Sequence, residues 1–183
     1  MAHSELGPLA RFLTDDHARI EALLRRAEAE PDKVGRDVYD AFRAGLLKHI
    51  DMEEKILLPA IQHRRCGEPL PVAARLRLDH GALASLLMLP PRPRVVSAIK
   101  TILAAHNKLE EGPDGLYAIC ETLLGTEVDD ILDQLHTTSE VSAAPPSDSP
   151  GVLEAVHRVV ARAGYDFNDD ESTPGHQEGK LNT

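Results

Sequence analysis

The sequence predicts an all-α fold, an up-down-up-down antiparallel four-helix bundle with a short C-terminal extension. Apolar residues recur at three- and four-residue intervals along four long stretches, the pattern of amphipathic helices, and no stretch alternates as a strand does. The chain has 183 residues, no Trp, three Phe and three Tyr. Its core must therefore consist of Leu, Ile, Val and Ala, a composition that favours helices over a β-sandwich. Short connections make successive helices antiparallel neighbours.

The first two helices are separated by a Pro-Asp break. The first is predicted from residue 8 to about residue 30, because Pro8 suits a first helical turn and Pro31 ends the apolar pattern. The second is predicted over residues 35–62. Pro59 lies inside its pattern, so we expect a kink or an early end there.

The third and fourth helices follow loops rich in Pro and Gly. A loop over residues 66–71 leads into the third helix, predicted over about 72–89 and ended by Pro90. The fourth begins near Arg94. The sequence Gly-Pro-Asp-Gly at 112–115 interrupts it, and the helical pattern then resumes as far as Leu135.

The composition changes after the fourth helix and divides the chain into residues 8–135 and 136–183. Residues 142–151 are rich in Ala, Pro and Ser, as linkers are. A short amphipathic helix is predicted over 152–163. The polar, Gly-containing end from residue 168 predicts a disordered acidic tail.

Charge and cysteine usage exclude several classes of function. The net charge of −10 argues against binding to nucleic acid or to anionic membranes. No run of about 20 apolar residues predicts a membrane span, and the first residues lack the pattern of a secretory signal. The two cysteines, 54 positions apart, suit a reducing cytoplasm.

Each predicted bundle helix carries one histidine on its apolar face. The interval between successive histidines is about one helix plus one connection, so the four lie at similar heights in an antiparallel bundle. Two of these histidines are followed four residues later by a glutamate on the same helix face. The histidines are His17, His49, His80 and His106, and the glutamates are Glu53 and Glu110.

This set of side chains favours a metal centre over a packed core. A buried carboxylate is costly unless it is paired or bound to metal. Imidazole and carboxylate ligands without thiolate suit iron or manganese better than structural zinc. Six ligands are too many for one Zn²⁺ and indicate two ions, each with open coordination positions. The neighbouring Glu54 and Glu111 are expected to face solvent beside Lys55 and Lys108, although the Gly-Pro break after Glu111 allows it to turn inward as a ligand.

The same residues carry a resemblance to a known family. Two Asp-His pairs lie on the first and third helices, and two His-x-x-x-Glu-Glu segments lie on the second and fourth, the former followed by Leu-Pro. With these segments the sequence resembles the hemerythrin-like, or HHE cation-binding, domains over about residues 8–135. The segments are Asp16-His17, residues 49–59, Asp79-His80 and residues 106–111.

The resemblance implies a non-haem di-iron centre in which Glu53 and Glu110 bridge the two ions. Its implied ligands are His17, His49, Glu53, His80, His106 and Glu110. The oxygen-carrying hemerythrins have a second histidine one turn after the one on the third helix, where this chain has Ala84. The set of four histidines and two glutamates looks more like family members linked to nitric oxide, peroxide or iron handling.

We therefore expect a cytoplasmic di-iron protein that binds or senses O₂ or NO in oxidative or nitrosative stress or in iron handling. Manganese fits the same ligand types. One alternative is a di-iron enzyme that acts on peroxide or NO or donates iron for cluster repair. An open coordination position permits turnover, but the sequence shows no separate general acid or base. A metal-free helical interaction module is the other alternative.

Overall fold

The computed structural model describes residues 6–28 and 34–169, and within these ranges it contains helices and no strand. The all-α prediction is confirmed. A π-helical turn, Glu53–Leu57, joins α2 to α3, and a 3₁₀ turn, Gly125–Glu127, joins α6 to α7. The α-helices are α1 (Pro8–Ala27), α2 (Arg36–Met52), α3 (Leu58–Arg64), α4 (Ala73–Leu86), α5 (Pro93–Glu111), α6 (Leu116–Leu124), α7 (Val128–His136) and α8 (Pro150–Arg162).

The bundle consists of α1, α2, α4 and α5. The Gly35 amide donates to the Ala27 carbonyl where α1 and α2 meet, and Asp16 contacts His49 further along, so these two helices are antiparallel. Contacts between α1 and α5, and between α2 and α4, also pair increasing residue numbers on one helix with decreasing numbers on the other, so these helix pairs are antiparallel as well. The predicted up-down-up-down bundle is therefore confirmed.

The predicted second helix is continuous from Arg36 to Arg64 but widens before Pro59. Pro59 has no N–H to donate to the carbonyl four residues earlier, and its ring would press against that carbonyl. The π turn Glu53–Leu57 relieves this conflict by lengthening the local hydrogen-bonding pattern. The expected distortion thus takes the form of a wider turn, and that turn contains Glu53 and Glu54.

Helix boundaries differ from the predicted ones by a few residues. The structure describes α1 only to Ala27 and its C-cap at Glu28, and the predicted end at residue 30 lies outside the described residues. The third predicted helix ends at Leu86 rather than residue 89. Its last turn tightens because the Met88 amide donates to the carbonyl of Ser85, an i to i+3 bond.

The Gly-Pro-Asp-Gly segment turns the chain back across the end of α5. A Cβ at Gly115 would lie 2.5 Å from the Glu110 carbonyl oxygen, so only glycine permits this close approach. The helix that follows, α6, packs against α1, α3 and α5. As a result, Tyr117 is buried in the bundle interior.

The C-terminal extension, as far as it is described, lies on the bundle. Helix α8 packs against α4 and buries Val156 and Val160 completely. Arg75 of α4 donates a 2.8 Å hydrogen bond to the Ala163 carbonyl, and its guanidinium lies 5.1 Å from the ring centre of Tyr165. The tail predicted to be disordered falls mostly on residues 170–183, outside the described residues.

Two apolar clusters fill the bundle on either side of a polar layer. The first contains Tyr39, Phe42 and Ile99, and the second contains Leu9 and Tyr117. Between them along each bundle helix lie the buried histidines and glutamates. Within the described part of the chain, no helix is both long and apolar enough to cross a membrane.

Candidate metal centre

The six residues predicted as metal ligands lie together in the polar layer and are almost inaccessible to solvent. Each is at most 5% exposed, and both glutamates are completely buried. Helix α1 contributes one histidine, α2 another and the π turn the first glutamate, while α4 supplies one histidine and α5 a histidine and the second glutamate. They are His17, His49, Glu53, His80, His106 and Glu110.

These side chains form two overlapping groups of four. In each group one ligand atom from every residue lies within 4.8 Å of the others. The first group contains His17 and His49, and the second contains His80 and His106. Glu53 and Glu110 belong to both groups.

Each shared glutamate directs one carboxylate oxygen to each group. Glu53 Oε1 lies 3.4 Å from His49 Nε2, and Glu53 Oε2 lies 3.1 Å from His80 Nε2. Glu110 Oε2 lies 3.5 Å from His17 Nε2, and Glu110 Oε1 lies 3.1 Å from His106 Nε2. This arrangement suits carboxylates that bridge two metal ions.

A carboxylate lies beside the other ring nitrogen of every histidine. The Nδ1 atoms of three histidines are 2.6–2.9 Å from a carboxylate oxygen, and the fourth is 3.6 Å away. At the three shorter distances Nδ1 donates a hydrogen bond to the carboxylate, so the Nε2 lone pair faces the interior whenever the imidazole is neutral, as metal binding requires. The pairs are His17 with Glu111, His49 with Asp16, His80 with Glu54, and His106 with Asp79.

Glu54 and Glu111 therefore have a role that the sequence did not suggest. They hold histidine rings, whereas the sequence placed them beside Lys55 and Lys108. Glu111 contacts the outer nitrogen of His17 with a side chain that is 34% exposed, while Glu110 is fully buried. The geometry thus favours Glu110 over Glu111 as a ligand.

Asp16 and Asp79 were also missed. Each directly precedes a histidine of its own helix but contacts the histidine of the next bundle helix. The Asp-His pair, repeated on the first and third predicted helices, was the available signal. The pair alone does not show which histidine each aspartate contacts, because that depends on the register between neighbouring helices.

Tyr117 is a further residue of the centre. Its hydroxyl donates a 2.8 Å hydrogen bond to Glu53 Oε1 and lies 3.2 Å from Glu110 Oε2. Burial and these two carboxylates raise the pKa of Tyr117 well above its usual value of 10. The helical pattern gave no sign of this, since Tyr117 reaches the centre through the turn at Gly115.

Without metal, the centre holds imidazolium–carboxylate pairs. Burial alone would lower the pKa of His49, but the Glu53 carboxylate and the hydrogen bond to Asp16 outweigh it and raise that pKa to about 10. Burial alone would also lower the pKa of His106, but the Asp79 and Glu110 carboxylates outweigh it and raise that pKa to about 10. Burial would raise the pKa of Glu53, yet His49 holds it well below its usual range.

The donor atoms fit a pair of metal ions. Within the described part of the chain, Glu53 Oε2, Glu110 Oε1 and His80 Nε2 are buried without a well-formed hydrogen bond. Glu53 Oε2 and Glu110 Oε1 face histidine Nε2 atoms at 3.1 Å without good hydrogen-bond geometry, and a metal ion would satisfy all three atoms. The mixture of imidazole and carboxylate, without thiolate, suits iron or manganese.

Metal loading is expected to release protons. His49 and His106, with pKa values raised to about 10, are protonated at neutral pH without metal and must lose those protons to coordinate. We expect about two or more protons per chain when the metal-free protein is titrated with Fe²⁺ without oxygen near pH 8. A pH indicator in weak buffer measures them.

The His49→Ala variant provides the control for this titration. It is expected to release fewer protons, because one of the two imidazolium groups is gone. Metal binding without proton release in the unmodified protein would contradict the raised pKa values of His49 and His106 in the metal-free centre.

Comparison with known families agrees with this geometry. The model of the hemerythrin HHE cation binding domain matches residues 9–114, which is more than half of the chain and includes all six candidate ligands. Comparison with curated proteins and with solved structures gave no match.

Proposed function

Since the chain belongs to the hemerythrin HHE cation-binding family, we propose that it is a non-haem di-iron protein that binds or senses O₂ or NO. The observation that carries the proposal is the sharing of Glu53 and Glu110 by two groups of ligand atoms. Two shared carboxylates, each with one oxygen on either side, call for two ions rather than one. When bound, the two ions supply redox chemistry and coordination positions for a small ligand.

The protein's own residues hold and isolate this centre. Four Nε2 atoms and four carboxylate oxygens would supply the ligand atoms, while Asp16, Glu54 and Glu111 fix three histidine rings by accepting hydrogen bonds from Nδ1. The apolar clusters on either side exclude bulk water. A site this deeply buried suits a small uncharged ligand better than a bulky substrate.

A cleft approaches the centre from the side of α1 and α2. It has a volume of about 560 Å³, and Phe12, Asp16, Met52 and His136 form part of its wall. Asp16 is hydrogen-bonded to His49, so the cleft lies one side chain away from a candidate ligand. We propose that small molecules approach the centre here.

We place the protein in the cytoplasm, in a response to oxidative or nitrosative stress or in iron handling. Both cysteines are free thiols, one exposed and one buried, as suits a reducing compartment. A centre that changes redox state on meeting O₂ or NO suits such a response.

The proposed function is tested by metal content and absorption of the aerobically purified protein. We expect about two irons per chain and near-ultraviolet bands that bleach on reduction with dithionite. Folded protein that retains no metal after anaerobic iron loading would overturn the proposal and favour a helical interaction module.

Reversible binding is distinguished from turnover by adding NO, O₂ or peroxide to the reduced protein. A spectral change that reverses when NO or O₂ is removed supports binding or sensing. Continued consumption of peroxide or NO at a rate proportional to protein would instead support the alternative of a di-iron enzyme.

A further inference from the structure

We infer that Tyr117 is itself a ligand, through its phenolic oxygen, of the metal ion held by the first group. The inference rests on the proposed function, because it requires that group to bind metal. It adds a residue to the six that the sequence pattern singled out.

The Tyr117 oxygen is surrounded by the ligand atoms of the first group. It lies close to all four of these atoms. Within the described part of the chain, it forms no hydrogen bond with His80 or His106. The distances from Tyr117 Oη are 3.1 Å to His17 Nε2, 3.3 Å to His49 Nε2, 2.8 Å to Glu53 Oε1 and 3.2 Å to Glu110 Oε2.

These distances match the spacing between ligands of one ion. Metal ions of this size bind oxygen and nitrogen at about 2.0–2.1 Å, and neighbouring ligand atoms at right angles are then about 3 Å apart. All four distances from Tyr117 Oη fall close to that spacing. The oxygen therefore occupies the position of one more ligand beside the four already identified.

Hydrogen bonding accounts for this position in the metal-free protein but not in a metal-loaded one. A phenol has one proton and donates it to one acceptor, and Glu53 Oε1 is the nearest. Once the imidazoles are neutral, as metal binding requires, His17 Nε2 and His49 Nε2 turn lone pairs toward the same oxygen. A cation among these atoms converts that repulsion into attraction. To coordinate, Tyr117 would lose its Oη proton to solvent and would bind the ion through the phenolate oxygen.

Tyr39 provides a matched control within the chain. It is also completely buried, but it lies in the first apolar cluster, where it packs against Phe42. Tyr39→Phe and Tyr117→Phe each remove one buried hydroxyl and leave the ring in place. Only the second removes an oxygen from the metal centre.

The test uses the full chain loaded with iron and oxidised to iron(III). A phenolate bound to iron(III) gives a charge-transfer absorption in the visible region and enhanced tyrosinate ring vibrations in resonance Raman spectra. We expect both signals in the unmodified protein and in Tyr39→Phe, and the loss of both in Tyr117→Phe. Circular dichroism checks that each variant is folded. If Tyr117→Phe does not fold, ring-deuterated tyrosine in the unmodified protein decides, because bound tyrosinate shifts those vibrations.

Metal content separates failure of this inference from failure of the proposed function. Two irons per chain with no phenolate signal, or with a signal that survives in Tyr117→Phe, would overturn the role of Tyr117 and leave the di-iron centre intact. Absence of bound iron in the unmodified protein would overturn both.

Discussion

Replacing Glu53 with glutamine is expected to remove both metal ions, although only one side chain changes. Glu53 belongs to both ligand groups and offers one oxygen to each. Glutamine keeps the shape but loses the negative charge and turns an NH₂ donor toward one of the two ions. We expect iron to fall from two per chain to below about 0.2 after gel filtration, measured by elemental analysis.

The adjacent Glu54→Gln variant is the matched control. Glu54 lies on the same π turn but contacts the outer nitrogen of His80, 2.7 Å away, and the guanidinium of Arg77. Loss of such a supporting contact typically weakens metal binding by about 10- to 100-fold without removing a ligand. Glu54→Gln should therefore still reach two irons per chain at saturating iron. A Glu53→Gln protein that retains two tightly bound irons would show that Glu53 is not shared.

The sequence was sufficient to group the four histidines because helical geometry acts locally. An apolar stripe with one histidine on each of four helices specifies which side chains face inward. The four-residue step from His49 to Glu53 and from His106 to Glu110 places each pair on one helix face. Nothing in this reasoning needs the detailed packing of one helix against another.

The remaining residues of the site depend on packing between elements. Asp16 supports a histidine of α2 rather than its neighbour His17, which only the register between α1 and α2 decides. Tyr117 reaches the centre because the chain folds back tightly at Gly115, a contact between backbone atoms that periodicity does not encode. The packing of α8 on α4 likewise depends on contacts between distant parts of the chain, such as the hydrogen bond from Arg75 to the Ala163 carbonyl.

Removing the metals is expected to lower the melting temperature by at least about 10 °C near pH 7. Ions that bind only the folded chain stabilise it by about 4 kcal/mol per site at a thousandfold excess over the dissociation constant. For a chain of this size each kcal/mol shifts the melting temperature by about 2–4 °C. Thermal unfolding followed by circular dichroism, with and without a chelator, measures the difference.

The difference between the two forms should widen as the pH rises. In the metal-free protein His49 and His106 have pKa values raised to about 10 from the ordinary 6.5, so their stabilising ion pairs are fully present below pH 6.5. That stabilisation is lost as the pH rises through about 10. The metal-loaded histidines are neutral and lose nothing over the same range, so the gap is larger near pH 9 than near pH 7.

A Phe42→Ala variant separates stabilisation by the metals from the stability of the bundle itself. Phe42 is fully buried in the first apolar cluster, and its truncation costs about 3–5 kcal/mol. Because Phe42 is not a ligand, the variant should lower the melting temperature of the loaded and metal-free proteins alike and preserve the gap between them. Equal melting temperatures with and without metal in the unmodified protein would contradict a centre in the polar layer. Ions bound there would join the four bundle helices across the middle of the core and would stabilise their assembly.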